Sequence, residues 1–331
     1  MTIPNINPSQ QIFDSSKIET FLQCPRMFFY VHVLGWKSET PNNHLHFGNA
    51  WHVAMEYILN NGYEKAPEAY EKFLEYYRSD PHFTEETDEV YQPKDPVGVA
   101  MALGEYVNYY SQDEDLYEVL HTEVSGAVPV STNKVIHFRM DSILREKATG
   151  EIFSRDHKTA KKFGRTWEDK FFLCIQNGTY THLLYSIFDP AIVKGVEFNG
   201  VSFEYFKRAS AQRPAGYNIG FIRVPAWKSR EQMNNWLWLI NVLIDQIEKE
   251  FEMLSTCEEG DEVLTAFPLN PTSCTDYFGC PFHNFCLAWS NPLRYCHEPQ
   301  PGFIVDHWNP LDEPTKEKFV DGKIVKLEVE G

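Results

Sequence analysis

Apolar and polar residues alternate with a period of two over residues 134–144, which predicts a β-strand with one buried face. The residues on the predicted buried face are all apolar: Ile136, Phe138, Met140 and Leu144. The opposite face carries charged or ionisable side chains: His137, Arg139 and Asp141. We therefore expect Asp141 to lie on the polar face of a half-buried strand.

A second strand is predicted to pair with the first. Residues 147–150 have the composition of a tight turn and lead into a strand over residues 151–158. Asp156 and Lys158 are two residues apart, so their side chains leave the same face of that strand. The resulting hairpin would bring Asp141, Asp156 and Lys158 together at one end of a sheet.

Two carboxylates beside a lysine suit the hydrolysis of phosphodiesters. Carboxylate oxygens bind Mg²⁺ or Mn²⁺, and these cations bind substrate phosphates and lower the pKa of a bound water. A neighbouring ammonium group can orient the attacking hydroxide or offset the charge that develops on phosphorus. An Asp-x-Lys triplet also occurs as an exposed ion pair worth about 0–1 kcal/mol, so the triplet alone does not establish a site.

Helical spacing dominates the chain before the hairpin. Residues 45–59 predict a helix in which His52 points away from the main apolar stripe, a position that suits a surface residue as well as a ligand. Residues 62–115 contain two helical patterns joined by an acidic loop with prolines, which predicts a helical insertion that covers the core. Residues 116–128 predict a strand on which Glu123 pairs with a basic neighbour or adds a metal ligand.

After the hairpin, a predicted helix over residues 167–188 places Gln176 and Tyr180 one turn apart on one face. Their side chains can hydrogen-bond a phosphate, a base edge or a lysine. Further strands follow, and the alternation changes phase at residues 199–200, which predicts a bulge or a turn. This mixture of helices and strands predicts the α/β class.

The composition is that of a folded protein with an excess of acidic groups. The 331 residues are 43% hydrophobic and 15% aromatic, as in globular chains. No run of about eighteen apolar residues and no signal-peptide pattern is present, so we expect a cytoplasmic protein without membrane association. The net charge of −17 would repel nucleic acid, so DNA binding requires a local basic cluster. Lys161, Lys162 and Arg165 provide one directly after the second strand.

Three of the seven cysteines form a C-x5-C-x5-C pattern near the end of the chain: Cys274, Cys280 and Cys286. Clustered thiolates beside proline and aromatic residues indicate a metal or iron–sulfur site, and a reducing compartment disfavours disulfides. Such a site needs four ligands, and Cys24, which precedes a proline, is the candidate for the fourth. The alternative is a zinc site on the same cysteines, with His283 or Cys296 as its fourth ligand.

Three motifs follow one another along the chain: Gly48-x-x-x-His52, Asp141 with Asp156-x-Lys158, and Gln176-x-x-x-Tyr180. This order resembles the RecB-like branch of the PD-(D/E)xK nuclease superfamily, over about residues 15–286. The resemblance implies a restriction-endonuclease-like, RecB-type α/β core with a mixed central sheet flanked by helices. It implies one domain over residues 15–296, between a flexible arm of residues 1–14 and a tail of residues 297–331.

The resemblance also implies roles for individual residues. The expected metal ligands are nitrogen or oxygen donors: the side chains of His52, Asp141 and Asp156 and the backbone carbonyl of His157. The expected catalytic residues include two of these ligands: Asp141, Asp156, Lys158, Gln176 and Tyr180. In this scheme Lys158 positions or activates the attacking water, while Gln176 and Tyr180 orient the DNA or the lysine.

One early and three late cysteines resemble the iron–sulfur subset of RecB-like nucleases, which includes CRISPR-associated exonucleases and the nuclease domains of bacterial helicase–nucleases. The resemblance implies a [4Fe–4S] cluster on Cys24, Cys274, Cys280 and Cys286, as a clamp between the N-terminal and C-terminal segments. Its expected role is structural, because it closes a long loop. Ligand softness alone does not separate this cluster from Zn²⁺.

These patterns predict a metal-dependent deoxyribonuclease, an exonuclease acting on DNA ends or single strands in recombination, repair, or CRISPR or phage DNA processing. The alternative is a nuclease-fold module that binds DNA or a partner protein without cutting, and RNA is an alternative substrate. The chain contains no G-x-x-x-x-G-K-[ST] motif, so a helicase or a recombination or CRISPR protein would be a separate partner.

Overall fold

The computed structural model describes residues 8–210, 214–276, 279–312 and 315–327. Residues 1–7 of the predicted arm, and residues 313–314 and 328–331 of the predicted tail, lie outside this description. The chain divides into two compact units: the first comprises residues 1–40, 127–138 and 231–314, and the second residues 41–126, 139–230 and 315–331. Within the described residues, no helix is both long enough and apolar enough to cross a membrane.

The α-helices of the described residues are, in chain order, α1 (Ser15–Gln23), α2 (Pro25–Phe28), α3 (Asn43–Asn61), α4 (Ala66–Tyr77), α5 (Asp88–Tyr91), α6 (Pro96–Tyr109), α7 (Asp113–Leu116), α8 (Arg165–Leu173), α9 (Ile175–Ile187), α10 (Arg230–Leu254) and α11 (His283–Ala288). The strands are β1 (Trp36–Ser38), β2 (Tyr117–Pro129), β3 (Val135–Glu146), β4 (Ile152–Ala160), β5 (Val193–Phe206), β6 (Gly216–Trp227), β7 (Phe303–Val305), β8 (Glu317–Val320) and β9 (Lys323–Lys326).

A seven-stranded sheet contributes most of its residues to the second unit, in the order β6-β5-β4-β3-β2-β8-β9. Antiparallel pairs join β3 to β4, β5 to β6 and β8 to β9. Parallel pairs join β4 to β5 and β2 to β8. Helices α3, α6 and α9 pack against strands β4, β6 and β5, respectively. The predicted mixed sheet flanked by helices is therefore confirmed.

The hairpin of β3 and β4 has the predicted geometry. The four apolar residues on the predicted buried face of β3 are all buried: Ile136, Phe138, Met140 and Leu144. The turn closes at Gly150, whose φ of +75° favours glycine and whose N–H donates to the carbonyl of Glu146 at 2.8 Å. Ser142 pairs with Arg155, and Arg145 pairs with Ile152. Period-two alternation was sufficient to predict these faces because only one face of β3 is fully buried.

The predicted interruption of β5 at residues 199–200 is wrong. The strand pairs continuously with β4 on one side and with β6 on the other through these residues. Residues 195–203 are all buried. A strand that is covered on both faces loses the alternation of polar and apolar residues, so the change of phase at Asn199 marks a buried polar side chain within a regular strand.

The predicted helical insertion is helical and forms a core with α3. Its helices α4 and α6 each contribute aromatic side chains to a cluster that is also lined by β5: Phe47, Trp51, Phe73, Tyr77, Tyr106 and Phe203. Asp95 caps α6 by accepting a hydrogen bond from the N–H of Gly98 at 2.8 Å, and Pro96 begins the helix. The insertion thereby fixes the position of α3, which carries His52.

Candidate active site and cysteine cluster

Four side chains from β3, β4 and α3 converge in the second unit. Asp141 accepts a hydrogen bond from the backbone N–H of His157, 2.7 Å from its Oδ2. The same oxygen is 3.1 Å from His52 Nδ1. On β4, Lys158 Nζ is 2.6 Å from Asp156 Oδ2, as expected for side chains that leave one face of a strand. The fold therefore brings together the side chains that the sequence predicts as metal ligands and the predicted catalytic lysine.

Helix α9 supplies two further side chains. Gln176 Nε2 donates to Asp156 Oδ1 at 3.2 Å and to the Tyr180 hydroxyl at 2.9 Å. The Tyr180 hydroxyl in turn donates to the backbone carbonyl of Arg139. The single helix predicted around these residues is divided at Cys174, whose extended backbone separates α8 from α9. Gln176 and Tyr180 nevertheless share one face of α9, and Gln176 orients a carboxylate of the site.

Glu123 on β2 joins this group. Its carboxylate, a ring nitrogen of His52 and a carboxylate oxygen of Asp141 all lie within 4.8 Å of one another. Glu123 has a φ of +49°, which is uncommon for a residue other than glycine, and its carbonyl accepts a 3.0 Å hydrogen bond from Thr315. Its carboxylate is also 2.7 Å from Arg139 Nε. The predicted pairing with a basic neighbour is confirmed, and the same position suits the alternative ligand role.

Neighbouring charges control the protonation of the carboxyl groups. Burial would raise the pKa of Asp141, but the ion pair with His52 holds that pKa well below its usual range. Burial raises the pKa of Asp156 to about 6, against the opposing charge of Lys158. Burial and the charge of Asp141 raise the pKa of Glu123 to about 7. Near neutral pH, Asp141 is therefore ionised, whereas Glu123 is present in both its protonated and its ionised form.

The ring of His157 is buried, and its centroid is 6.2 Å from that of the His52 ring. Only 1% of the residue is exposed, and Nδ1 is 2.9 Å from Asn199 Nδ2. Asn199 also donates to the hydroxyl of Tyr106 at 2.8 Å. Burial lowers the pKa of His157 to about 3, so its ring is neutral. That the backbone carbonyl of His157 binds the metal stays a prediction.

The donors of this group fit a hard divalent cation. Glu123 and Asp141 offer carboxylate oxygens and His52 offers a ring nitrogen within one small volume. Oxygen ligands with carboxylate charge are those that Mg²⁺ and Mn²⁺ prefer, and imidazole is a common additional ligand. The second unit thus contains an acidic site that could hold such an ion.

The comparison with protein families agrees with this geometry. The model of the PD-(D/E)XK nuclease superfamily matches residues 15–287, which is most of the chain. The chain belongs to the PD-(D/E)XK nuclease superfamily. Membership assigns the chain to the nucleases, a class of hydrolases, and is consistent with the mixed α/β fold. No curated protein matches the chain.

Three basic residues are predicted to contact nucleic acid, and all three are exposed. Lys161 and Lys162 directly follow β4, and Arg165 begins α8. Arg165 Nε is 3.3 Å from Asp169, with 93% of the arginine side chain exposed. Such a solvent-exposed pair is weak, so a phosphate can compete for the guanidinium. Contact of these three residues with DNA stays a prediction.

The predicted cluster ligands of this PD-(D/E)XK protein lie in the first unit and line one cavity: Cys24, Cys274, Cys280 and Cys286. Cys24 ends α1 with extended backbone and Pro25 begins α2, so the proline starts a helix and does not interrupt one. The N–H of Asn270 donates to the Cys24 sulfur at 3.4 Å. The N–H of Cys280 donates to the carbonyl of Cys274 at 3.0 Å.

Burial and the neighbouring cysteines raise the pKa values of two of these thiols, Cys280 and Cys286. Burial raises the pKa of Cys286 to about 11, and the other three cysteines add to this effect against the opposing charge of Arg26. Burial also raises the pKa of Cys280. Cys280 and Cys286 therefore keep their protons until a metal displaces them. Because the other three cysteines raise the pKa of Cys286, the four sulfur atoms are close enough to bind one metal ion or cluster.

The two candidates for an alternative zinc ligand differ in position. His283 lines the same cavity as the four cysteines. Cys296 is not among the described residues that line it, and its Sγ is 3.6 Å from the carbonyl of Leu293. Of the two, His283 is the one whose position suits a zinc ligand.

Proposed function

We propose that this protein is a deoxyribonuclease that uses Mg²⁺ or Mn²⁺ and acts as an exonuclease on DNA ends or single strands. The main support is the convergence of His52, Glu123 and Asp141 beside the Asp156–Lys158 ion pair. Because the chain belongs to a nuclease superfamily, a site with these donors suits phosphodiester hydrolysis. The biological setting we propose is recombination, repair, or CRISPR or phage DNA processing, with any helicase as a separate protein.

The proposed metal ligands are His52, Glu123, Asp141, Asp156 and the backbone carbonyl of His157. When bound, the metal lowers the pKa of a water molecule and offsets negative charge on the phosphate. Although burial opposes it, the charges of Asp156 and Asp141 raise the pKa of Lys158, so this side chain stays an ammonium group. Lys158 therefore donates hydrogen bonds that orient the attacking water, and it is not a general base. Gln176 and Tyr180 act as positioning residues through Asp156 and β3.

The test compares wild-type protein with Asp156→Asn and Lys158→Met on end-labelled single-stranded and duplex DNA, with Mg²⁺ or Mn²⁺. Each variant should retain its fold and lose cutting by at least about 10²–10³-fold, as expected when an electrostatic contact to the reacting phosphate is removed. Lys194→Met is the matched control, because Lys194 pairs with Glu146 and Glu151 outside the site. Equal cutting by all four proteins would disprove the assignment.

Circular single-stranded DNA separates exonuclease from endonuclease activity, because an exonuclease requires an end. We expect linear DNA to be degraded and circular DNA to survive. Cutting of circular DNA would replace the exonuclease proposal with an endonuclease. Binding of DNA without products in either metal would favour the module that binds without cutting.

We further propose that the cysteine cavity holds a structural [4Fe–4S] cluster, for which the support is that all four cysteines line it. Thiolates suit iron–sulfur clusters and Zn²⁺ alike, so metal analysis distinguishes the two. Protein purified without oxygen should contain about four irons and four sulfides per chain. Cys286→Ser should lose the iron, whereas the control Cys296→Ser should keep it. Stoichiometric zinc without sulfide would assign the cavity to Zn²⁺.

A further inference from the structure

A buried lysine in the helical insertion contacts the strand that carries the catalytic lysine. Lys94 lies between α5 and α6, and only 7% of the residue is exposed. Its Nζ donates to Thr159 Oγ1 at 2.8 Å, and it lies 5.7 Å from the ring centroid of Phe47. Thr159 directly follows Lys158 on β4. The insertion therefore places an ammonium group against β4, the strand that carries Asp156 and Lys158.

Two other basic side chains, those of His44 and Lys161, lie near Lys94. Burial lowers the pKa of His44, and the charges of Lys94 and Lys161 lower it further, so these three side chains lie close enough to repel one another. His44 and Lys161 are exposed, whereas Lys94 is buried. Among the described residues, burial is the one cause that lowers the pKa of Lys94, to about 8, and no carboxylate offsets it.

An ammonium group that is buried without a carboxylate is costly. This chain has 47 acidic residues against 30 basic ones, so suitable partners for Lys94 are abundant in the sequence. The fold instead leaves Lys94 with a hydroxyl partner and places the basic side chains of His44 and Lys161 near it. An anion brought by the substrate would supply the opposite charge, and lysine is a common phosphate ligand.

Helix α3 passes close to this group. A Cβ atom added to Gly48 would have Thr159 Oγ1 as its nearest neighbour outside its own helix, at 3.9 Å. Gly48 lies one turn before His52 on α3, and His44 lies two turns before it. An anion held by Lys94 would therefore lie near the candidate metal site, at a position distinct from that of the reacting phosphate.

We propose that Lys94, together with His44 and Lys161, binds a phosphate group of the DNA substrate other than the one that reacts. The proposal rests on the deoxyribonuclease assignment and adds to it a residue that positions the DNA. The bound group is either an internal phosphodiester or a terminal phosphate, since both present the same charged oxygens.

The test measures DNA binding by Lys94→Met in an Asp156→Asn background, which prevents cutting. The control is Lys72→Met, which removes an exposed lysine of the same insertion that pairs with Glu75. We expect the Lys94 variant to bind single-stranded DNA about tenfold more weakly than the control. The slope of log K against log salt should become shallower by about 0.7, the value for one phosphate contact on a single strand. Its melting temperature should equal or exceed that of the control, because a buried charge has been removed.

Oligonucleotides with hydroxyl groups or with phosphates at their ends distinguish the two sources of phosphate. An equal loss on both kinds of DNA assigns an internal phosphodiester, and a loss confined to phosphorylated ends assigns a terminal phosphate. If Lys94→Met and Lys72→Met bind both kinds equally well, the proposal is wrong. If the Asp156→Asn parent does not bind DNA at all, the deoxyribonuclease assignment itself fails.

Discussion

The acidic site of the second unit and the cysteine cluster of the first differ in how far the protein itself prepares them for a ligand. In the acidic site, Asp141 is held by His52 and by the amide of His157, and Asp156 is held by Lys158. In the cysteine cluster, burial raises the pKa of Cys286 to about 11, so the thiol is neutral before a metal binds. The carboxylates of the acidic site are paired with cationic side chains or backbone amides before a metal binds. The Cys286 thiol, in contrast, becomes a thiolate only when a metal binds.

This difference follows from the chemistry of the donors. Carboxylates can be ionised and paired with cationic side chains in the folded chain, so their geometry does not depend on the metal. Four neighbouring thiolates would repel one another, and metal binding is what removes their protons. We therefore expect the stability of the first unit to depend on its ligand more than that of the second unit does.

The largest expected effect is on thermal stability. The variant Cys24→Ser lacks one of the four proposed cluster ligands and should therefore lose the metal. Its melting temperature should fall by about 10 °C or more, because a structural metal contributes several kcal/mol to folding. Chelation of Mg²⁺ or Mn²⁺ from the wild-type protein should lower it by less than about 3 °C. Scanning calorimetry of both samples, with Cys257→Ser as the control thiol variant, measures this contrast. Equal shifts would remove the distinction between the two sites.

An intermediate effect is expected on metal affinity and its pH dependence. Protons occupy Glu123 below a pKa of about 7 and Asp156 below about 6, so they compete with the cation as the pH falls. The affinity for Mn²⁺ should therefore rise between pH 5.5 and 8 and then level off. Glu123→Gln removes the carboxylate with the higher pKa, so it should reduce affinity about tenfold and weaken the dependence above pH 6.5.

Titration calorimetry at several pH values tests this prediction. Glu118→Gln on the same strand is the control, because Glu118 pairs with Arg145 and its side chain is 49% exposed. The ligand role of Glu123 would be contradicted if both variants bound Mn²⁺ as wild type does. A loss of affinity with an unchanged pH profile would instead assign the titration to Asp156.

The smallest expected effect concerns the backbone of Glu123. Thr315→Val removes the hydroxyl that donates to the Glu123 carbonyl, and a hydrogen bond of this kind is worth about 0.5–1.5 kcal/mol. The turnover rate at saturating metal should fall about two- to fivefold, because Glu123 is held less firmly in its unusual conformation. Thr149→Val, at the exposed turn after β3, makes the same chemical change elsewhere. Identical turnover by the two variants would show that Thr315 does not position Glu123.

Local sequence patterns were sufficient for the hairpin and for the order of the motifs. The alternation over Ile136, Phe138 and Met140 predicted the buried face of β3, because strand geometry repeats every two residues whatever surrounds it. The spacing of Asp156 and Lys158 predicted their shared face for the same reason. The arrangement of one early and three late cysteines identified a single cavity across about 250 residues, because soft ligands in this pattern have few other uses.

Only the tertiary structure decided which polar residues are buried and what they contact. The sequence did not decide whether Glu123 pairs with a basic residue or binds a metal. In the fold its carboxylate contacts Arg139 and also lies beside His52 and Asp141. No spacing distinguished Lys94 from a surface lysine, since its burial depends on packing between the insertion and β4. Asn199 suggested a break in β5, but burial on both faces made it part of a regular strand. Periodicity reports local geometry, whereas burial and charge balance depend on residues far apart in the chain.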